Sequence, residues 1–179
     1  MALIECPECG KEISSSVKSC IHCGYKQEKY DKIGGWLILV IIGYIISFFS
    51  NISVIAGGYT LYLDGTMAEL NTLSGLNYNP GLFSAINYEI TLAIIMIIII
   101  IISGILMFKK KRVYPMYAIF LITFSHFFVS LEVLVFGEVL DYTVEDISSI
   151  IGGIIGGIIW IIYFVKSKRV KQTFIKWCL

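Results

Sequence analysis

Residues Ile90–Phe108 read I-T-L-A-I-I-M-I-I-I-I-I-I-S-G-I-L-M-F, nineteen residues without a charge, ten of them isoleucine. In a soluble domain an isoleucine run is a buried strand. At this length a helix is preferred, because about twenty residues rising ~1.5 Å each cross a hydrocarbon core. A segment in lipid must also satisfy its own backbone hydrogen bonds, which overrides β-propensity. The run ends against Lys109-Lys110-Lys111-Arg112, a sharp polar boundary.

Three further apolar segments flank it. The spacing predicts spans over residues 33–55, 88–108, 115–136 and 147–165. Pro115 falls in the first turn of span three, where the missing N–H does no harm. None of the four carries the polar stripe of a water-soluble bundle. The whole chain agrees: of 179 residues 57% are apolar and 15% charged, with a mean hydropathy of +0.82. A soluble domain is usually about 45–50% apolar and about 25% charged, so an ordinary cytosolic enzyme and a disordered chain are both excluded.

The fourteen Lys and Arg fall into three segments. Five precede span one, four join spans two and three, and five follow span four. Residues 56–89 and 137–146 hold none, and carry seven acids instead. The positive-inside rule assigns the basic segments to the cytosol. Four spans bring both termini to that side, in the inner membrane of a bacterial or archaeal cell. Trp36, Tyr163 and Trp177 suit the cytosolic headgroup layer. Residues Pro80 to Glu89 read as a short interfacial helix leading into span two.

Residues 1–25 are a different material. From Cys6 the chain reads C-P-E-C-G, and from Cys20 C-I-H-C-G, with ten residues between Cys9 and Cys20. A tight turn after each first cysteine aims two thiolates at one point, and Gly10 and Gly24 supply the left-handed backbone just beyond. Two facing knuckles make a four-thiolate tetrahedral site, which predicts a structural zinc held by Cys6, Cys9, Cys20 and Cys23. Disulfides would need an oxidising compartment. A redox pair would need one C-x-x-C at a helix start. Iron fits the same ligands, although sites this short are more often zinc. His22 is expected to be exposed. The stretch resembles the short zinc-ribbon modules at the start of many bacterial and archaeal proteins. Its five lysines and five acids (through Lys32) cancel, so nucleic acid is not an expected partner. A linker over 26–32 leads to the membrane domain at 33–179.

Within the spans, small residues recur at helical spacing. Gly152 and Gly156 follow Ser148, while Gly153 and Gly157 follow Ser149. Span one has Gly43 and Ser47 at the same step. Such tracks let helices approach closely, so spans one and four are expected to pack together. The same track could instead face a second copy, giving a homo-oligomer. Span three carries His126 and Glu132, ionisable groups that need a reason at membrane depth. Six residues apart, they lie about 240° round the helix and do not share a face. His126 is expected to be neutral and bonded to a neighbouring helix, and Glu132 to reach the outer headgroup boundary. The lone Cys178 is expected to be inert.

Three pieces carry a resemblance: Ile33-Gly34-Gly35-Trp36-Leu37-Ile38, Phe108 to Arg112 with Pro115, and Trp160 to Phe174 with its S-K-R-V-K-Q-T-F tail. Together they resemble a bacterial family of four-helix membrane proteins, domain of unknown function 2569, over about residues 33–176. Members often have Pro where this chain has Ile162. The resemblance implies an inner-membrane location and supplies no activity. No G-x-S-x-G, H-E-x-x-H, phosphate loop or dinucleotide fingerprint occurs, so no catalytic residue is assigned. The expected fold is an all-α four-helix membrane bundle preceded by a zinc ribbon of short β hairpins. The expected role is a non-enzymatic membrane adaptor or sensor whose ribbon contacts a protein. The alternative is a small oligomeric permease, channel or lipid-handling protein.

Overall fold

The computed structural model describes residues 3–6, 8–14, 17–26, 33–73 and 77–174. Most of the linker expected at 26–32, together with Trp177 and Cys178, lies outside them. At the N-terminus β1 (Leu3–Glu5) pairs antiparallel with β2 (Glu12–Ser14), Ile4 opposite Ile13. A single bridge, Ser19 to Lys26, closes the second half of the ribbon.

Six helices follow. They are α1 (Trp36–Leu63), α2 (Thr66–Asn71), α3 (Pro80–Phe108), α4 (Tyr114–Leu140), α5 (Val144–Lys166) and α6 (Lys168–Thr173). Helices α1, α3, α4 and α5 are long and apolar enough to cross a membrane, and the chain is a multi-pass membrane protein. Hydroxyls along them donate to carbonyls of the preceding turn, as Thr91 does to Asn87 (2.8 Å) and Ser130 to His126 (2.8 Å). That leaves few polar atoms seeking partners in lipid.

All four long helices outrun the apolar segments that mark them, α1 and α3 the furthest. Helix α1 continues past Ile55 to Leu63, since Ala56-Gly57-Gly58-Tyr59 carries neither charge nor proline. Residues 80–89 are not a separate interfacial helix but the first turns of α3. Pro80 occupies the first turn and the Asn79 side chain accepts from the Leu82 amide (3.0 Å), a cap that starts the helix early. Helix α5 starts through a capping box, Thr143 with Asp146, as the sequence T-V-E-D allows.

Helix α1 lies against α3, α3 against α4, and α4 against α5. The largest core sits at the basic end. Leu37, Val40, Met107, Tyr114, Ala118 and Phe164 pack there with Val170 and Phe174 from the α6 segment. Tyr114 is fully buried, its ring 4.4 Å from that of Phe174 and 5.9 Å from that of Phe164. The Tyr44 hydroxyl lies 2.8 Å from Ser103 Oγ and 3.4 Å from the Tyr114 hydroxyl, joining α1, α3 and α4.

The contact expected between spans one and four takes a different form. A Cβ on Gly43, Gly152 or Gly156 would have no heavy atom within 4 Å, and Ser47 uses its carbonyl to accept from Asn51 within α1. Helices α1 and α5 meet instead through Trp36 and Trp160, ring centroids 6.4 Å apart. The reason is rotational. Of the two tracks on α5, Gly153 and Gly157 face α4, with His126 and Ile122 beside them, and the offset of ~100° per residue turns Gly152 and Gly156 away. The close approach of α1 to α3 falls at Gly58, where a Cβ would collide with Ile90.

A Cβ on Gly157 would lie 3.0 Å from His126 Cε1 and 3.1 Å from Ile122 Cγ2. Gly157→Leu should therefore destabilise the bundle by about 1–3 kcal/mol through overpacking, while Gly156→Leu should change little. Thermal unfolding of both variants in one detergent checks this. Equal losses would contradict the rotation of α5 described above.

Candidate metal centre and intramembrane polar groups

The two cysteine knuckles are built alike. The Gly10 amide donates to the Cys6 carbonyl and the Gly24 amide to the Cys20 carbonyl, each at 2.9 Å. The Cys6 amide donates to Lys11 (2.9 Å) and the Cys20 amide to Tyr25 (2.8 Å). Gly10 and Gly24 have φ of 69° and 71°, the left-handed backbone that a Cβ would strain. Each knuckle thus turns its two thiols inward, and the hairpin sets the first opposite the second.

The four Sγ atoms all lie within 4.8 Å of one another. Cys6 and Cys23 are 3.7 Å apart, as are Cys9 and Cys20. A disulfide would require ~2.05 Å. A tetrahedral ion with bonds of ~2.3 Å places its ligand sulfurs ~3.8 Å apart, so the donor set fits such a metal. His22 is exposed, and its amide, not its ring, points at the cluster, donating to Cys20 Sγ (3.4 Å).

Against the opposing effect of burial, the amides of His22 and Cys23 and the neighbouring thiols draw the Cys20 thiol down to about 6. The Tyr25 amide acts to lower Cys23, but burial and the other three thiols outweigh it and push Cys23 up to about 12. Lowering favours folding above the ordinary thiol range and loses that benefit as pH falls toward 6. Raising has the opposite sign, between the ordinary range and 12. The two displacements act in separate pH windows, and neither replaces a core in the ribbon. Its buried core is small, Ile13 with Cys6 and Cys20, and modules below about 40 residues usually need such a staple.

His126 and Glu132 sit on α4. The Ile122 carbonyl can only accept, so His126 Nδ1–H donates to it (2.7 Å), an intrahelical bond where an interhelical one was expected. Nε2 then faces Gly153 and Gly157, beside an open cleft of about 170 Å3 lined by Ser125, His126, Val129, Ile150 and Gly153. Glu132 is 8% exposed and accepts from the Tyr142 hydroxyl at 3.0 Å. Burial, and then the Glu132 carboxylate, hold the Tyr142 phenol well above its usual range. Glu89 on α3 stands close to Glu132. His126 and Glu132 bond different partners, Ile122 and Tyr142. The sequence did not flag Glu89, Tyr142, or the Tyr44, Ser103 and Tyr114 hydroxyls. Their only signal was a polar atom in or beside an apolar span.

The geometry agrees with comparison to known families. Residues 30–175 match the family described as Protein of unknown function (DUF2569). The chain belongs to this family. Residues 2–27 match a zinc-ribbon domain, so the cysteine cluster is the metal-binding centre of a ribbon fused to a DUF2569 membrane domain. No curated protein and no solved structure matches the chain.

Because a cation must displace every proton the thiols hold, metal occupancy should fall as the medium is acidified from about pH 8 to about pH 5. Metal released into a chromogenic chelator measures this. Occupancy unchanged across that range would mean that the thiols are not the ligands.

Proposed function

We propose that this DUF2569 protein is a non-enzymatic membrane adaptor or sensor, in which a zinc-loaded cytosolic ribbon docks a protein partner and the bundle anchors it. The observation that carries the reading is the surface of the ribbon. Ile21, held at the tip of the second knuckle, is 77% exposed, and Leu3 is 63% exposed. A module with so small a core usually buries its apolar residues, and those it leaves outside suit a protein contact. The balanced charge of the segment offers no attraction to nucleic acid. Zinc is the ion expected from four thiolates at this spacing. The basic loops argue for an inner membrane with both termini cytosolic.

The second reading, a small oligomeric permease, channel or lipid-handling protein, draws on the open cleft beside His126 and on the uncovered Gly152 and Gly156. The bundle interior supports the first reading better. Most of its bonded polar side chains reach their own helix or a neighbouring one, as Thr123 does to Ile119 (2.9 Å), Tyr44 to Ser103 (2.8 Å) and Tyr88 to Phe128 (2.8 Å), although the buried Tyr163 hydroxyl has no partner among the described residues.

Elemental analysis should find about one zinc per chain, and Cys9→Ser should lose it while the bundle still inserts. Reporter fusions after Asp64 and Asp141 should read outside, and a fusion after Arg112 inside. In mild detergent, a partner captured by the intact protein should be lost on deleting residues 1–25 and weakened by Ile21→Asp. Capture that ignores both changes would count against the adaptor reading.

A further inference from the structure

The basic end of the bundle carries a feature that neither the ribbon nor the core uses. Ile101, Gly104, Ile105, Phe108 and Lys109 line a shallow groove of about 390 Å3 on the outer face of α3. Ile101, Ile105 and Lys109 stand at four-residue steps, with Gly104 and Phe108 beside them, so the groove runs along the helix for about 12 Å. Gly104 leaves the floor of the groove open, and a Cβ there would have no heavy atom within 4 Å. Ile101, Ile105 and Phe108 are 47%, 48% and 65% exposed. Lys109 closes the groove at the polar end and is its only charged residue.

The sequence next to Lys109 is of one sign. Lys109 is the C-cap of α3, where the helix dipole favours a cation, and a long lysine side chain extends to the headgroup level. Lys110, Lys111 and Arg112 follow directly. Lys166, Lys168, Arg169 and Lys171 stand at the same end, on α5 and α6, and neither 108–113 nor 166–174 contains an acid. An apolar groove ending at the exposed Lys109 is complementary to one molecule of that leaflet, a lipid whose headgroup is a phosphate without a compensating ammonium.

We propose that the α3 groove and Lys109 form a binding site for one anionic glycerophospholipid. Its phosphate meets Lys109 and one acyl chain lies over Gly104. The site fills a face of α3 that neither α1 nor α4 covers, and it does not depend on the adaptor reading.

Native mass spectrometry of the full chain in detergent, titrated with phosphatidylglycerol and with phosphatidylcholine of the same chains, tests it. Phosphatidylglycerol should be retained about fivefold more tightly or better. Lys109→Gln should erase most of that preference. Gly104→Leu, which fills the groove, should weaken retention of phosphatidylglycerol. Lys109 is exposed and a Cβ on Gly104 meets no neighbour, so an unchanged unfolding temperature confirms that each variant is folded. Equal retention of the two lipids by the unaltered protein would overturn the proposal, as would full retention by Gly104→Leu. Displacement of phosphatidylglycerol by inorganic phosphate at equal concentration would overturn it too, because the acyl chain would then contribute nothing.

Discussion

Tyr114 is where the membrane domain is tied together. It opens α4 beside Pro115, is fully buried, and touches α1 through the Tyr44 hydroxyl, α5 through Phe164 and the α6 segment through Phe174. A phenol suits this junction because its ring supplies apolar area and its hydroxyl finds a partner. Hydrophobic association between helices is weak in lipid, where tails are as apolar as leucine. Aromatic packing and shared hydroxyls therefore hold this end. The acidic end relies on smaller contacts, with Glu132 bonded to Tyr142 and a Cβ at Gly81 only 3.0 Å from Val139 Cγ2. The basic end is the fixed one, and it is also where the Trp36 and Trp160 rings meet.

The ribbon solves the opposite problem. In water the hydrophobic effect is available, but about two dozen residues cannot bury enough surface to use it. Four inward thiols replace the missing core, and Gly10 and Gly24 exist to turn the chain around them. The two modules thus depend on different chemistry and should unfold independently.

What the sequence disclosed follows from this division. The ribbon and the four spans were legible because each rests on a local rule, ligand spacing in one case and the length of an apolar run in the other. Helix neighbours were not. Small residues at four-residue steps occur on both faces of α5, and nothing local decides which face meets α4. His126 does so, since its ring needs the space that Gly153 and Gly157 leave. Helix ends were also hidden, because hydropathy stops at the lipid while α1 and α3 continue beyond it. Glu89 was read as an outer-loop acid by its charge. Only the early start of α3 places it on a helix against Glu132.

The distribution of charge then explains why the two ends have different finishes. At the acidic end carboxyls are absorbed locally: Asp146 caps α5 with Thr143 (2.6 Å between Oδ2 and Oγ1), Glu69 accepts from Asn77 (3.0 Å) and Glu132 from Tyr142. Each bond lowers the cost of placing an acid close to lipid. At the basic end there are no acids to absorb the cations of 109–112 and 166–171 within their own segments. Arg169 turns inward, its guanidinium laid against Gly34 and Gly35, where a Cβ on Gly34 would come within 2.7 Å of Nη2. That contact accounts for the glycine pair at the start of α1, and it fastens α6 to the opening of the bundle. Lys109, Lys166, Lys168 and Lys171 remain at the surface of the same end, facing the layer in which phosphate is the abundant counter-charge.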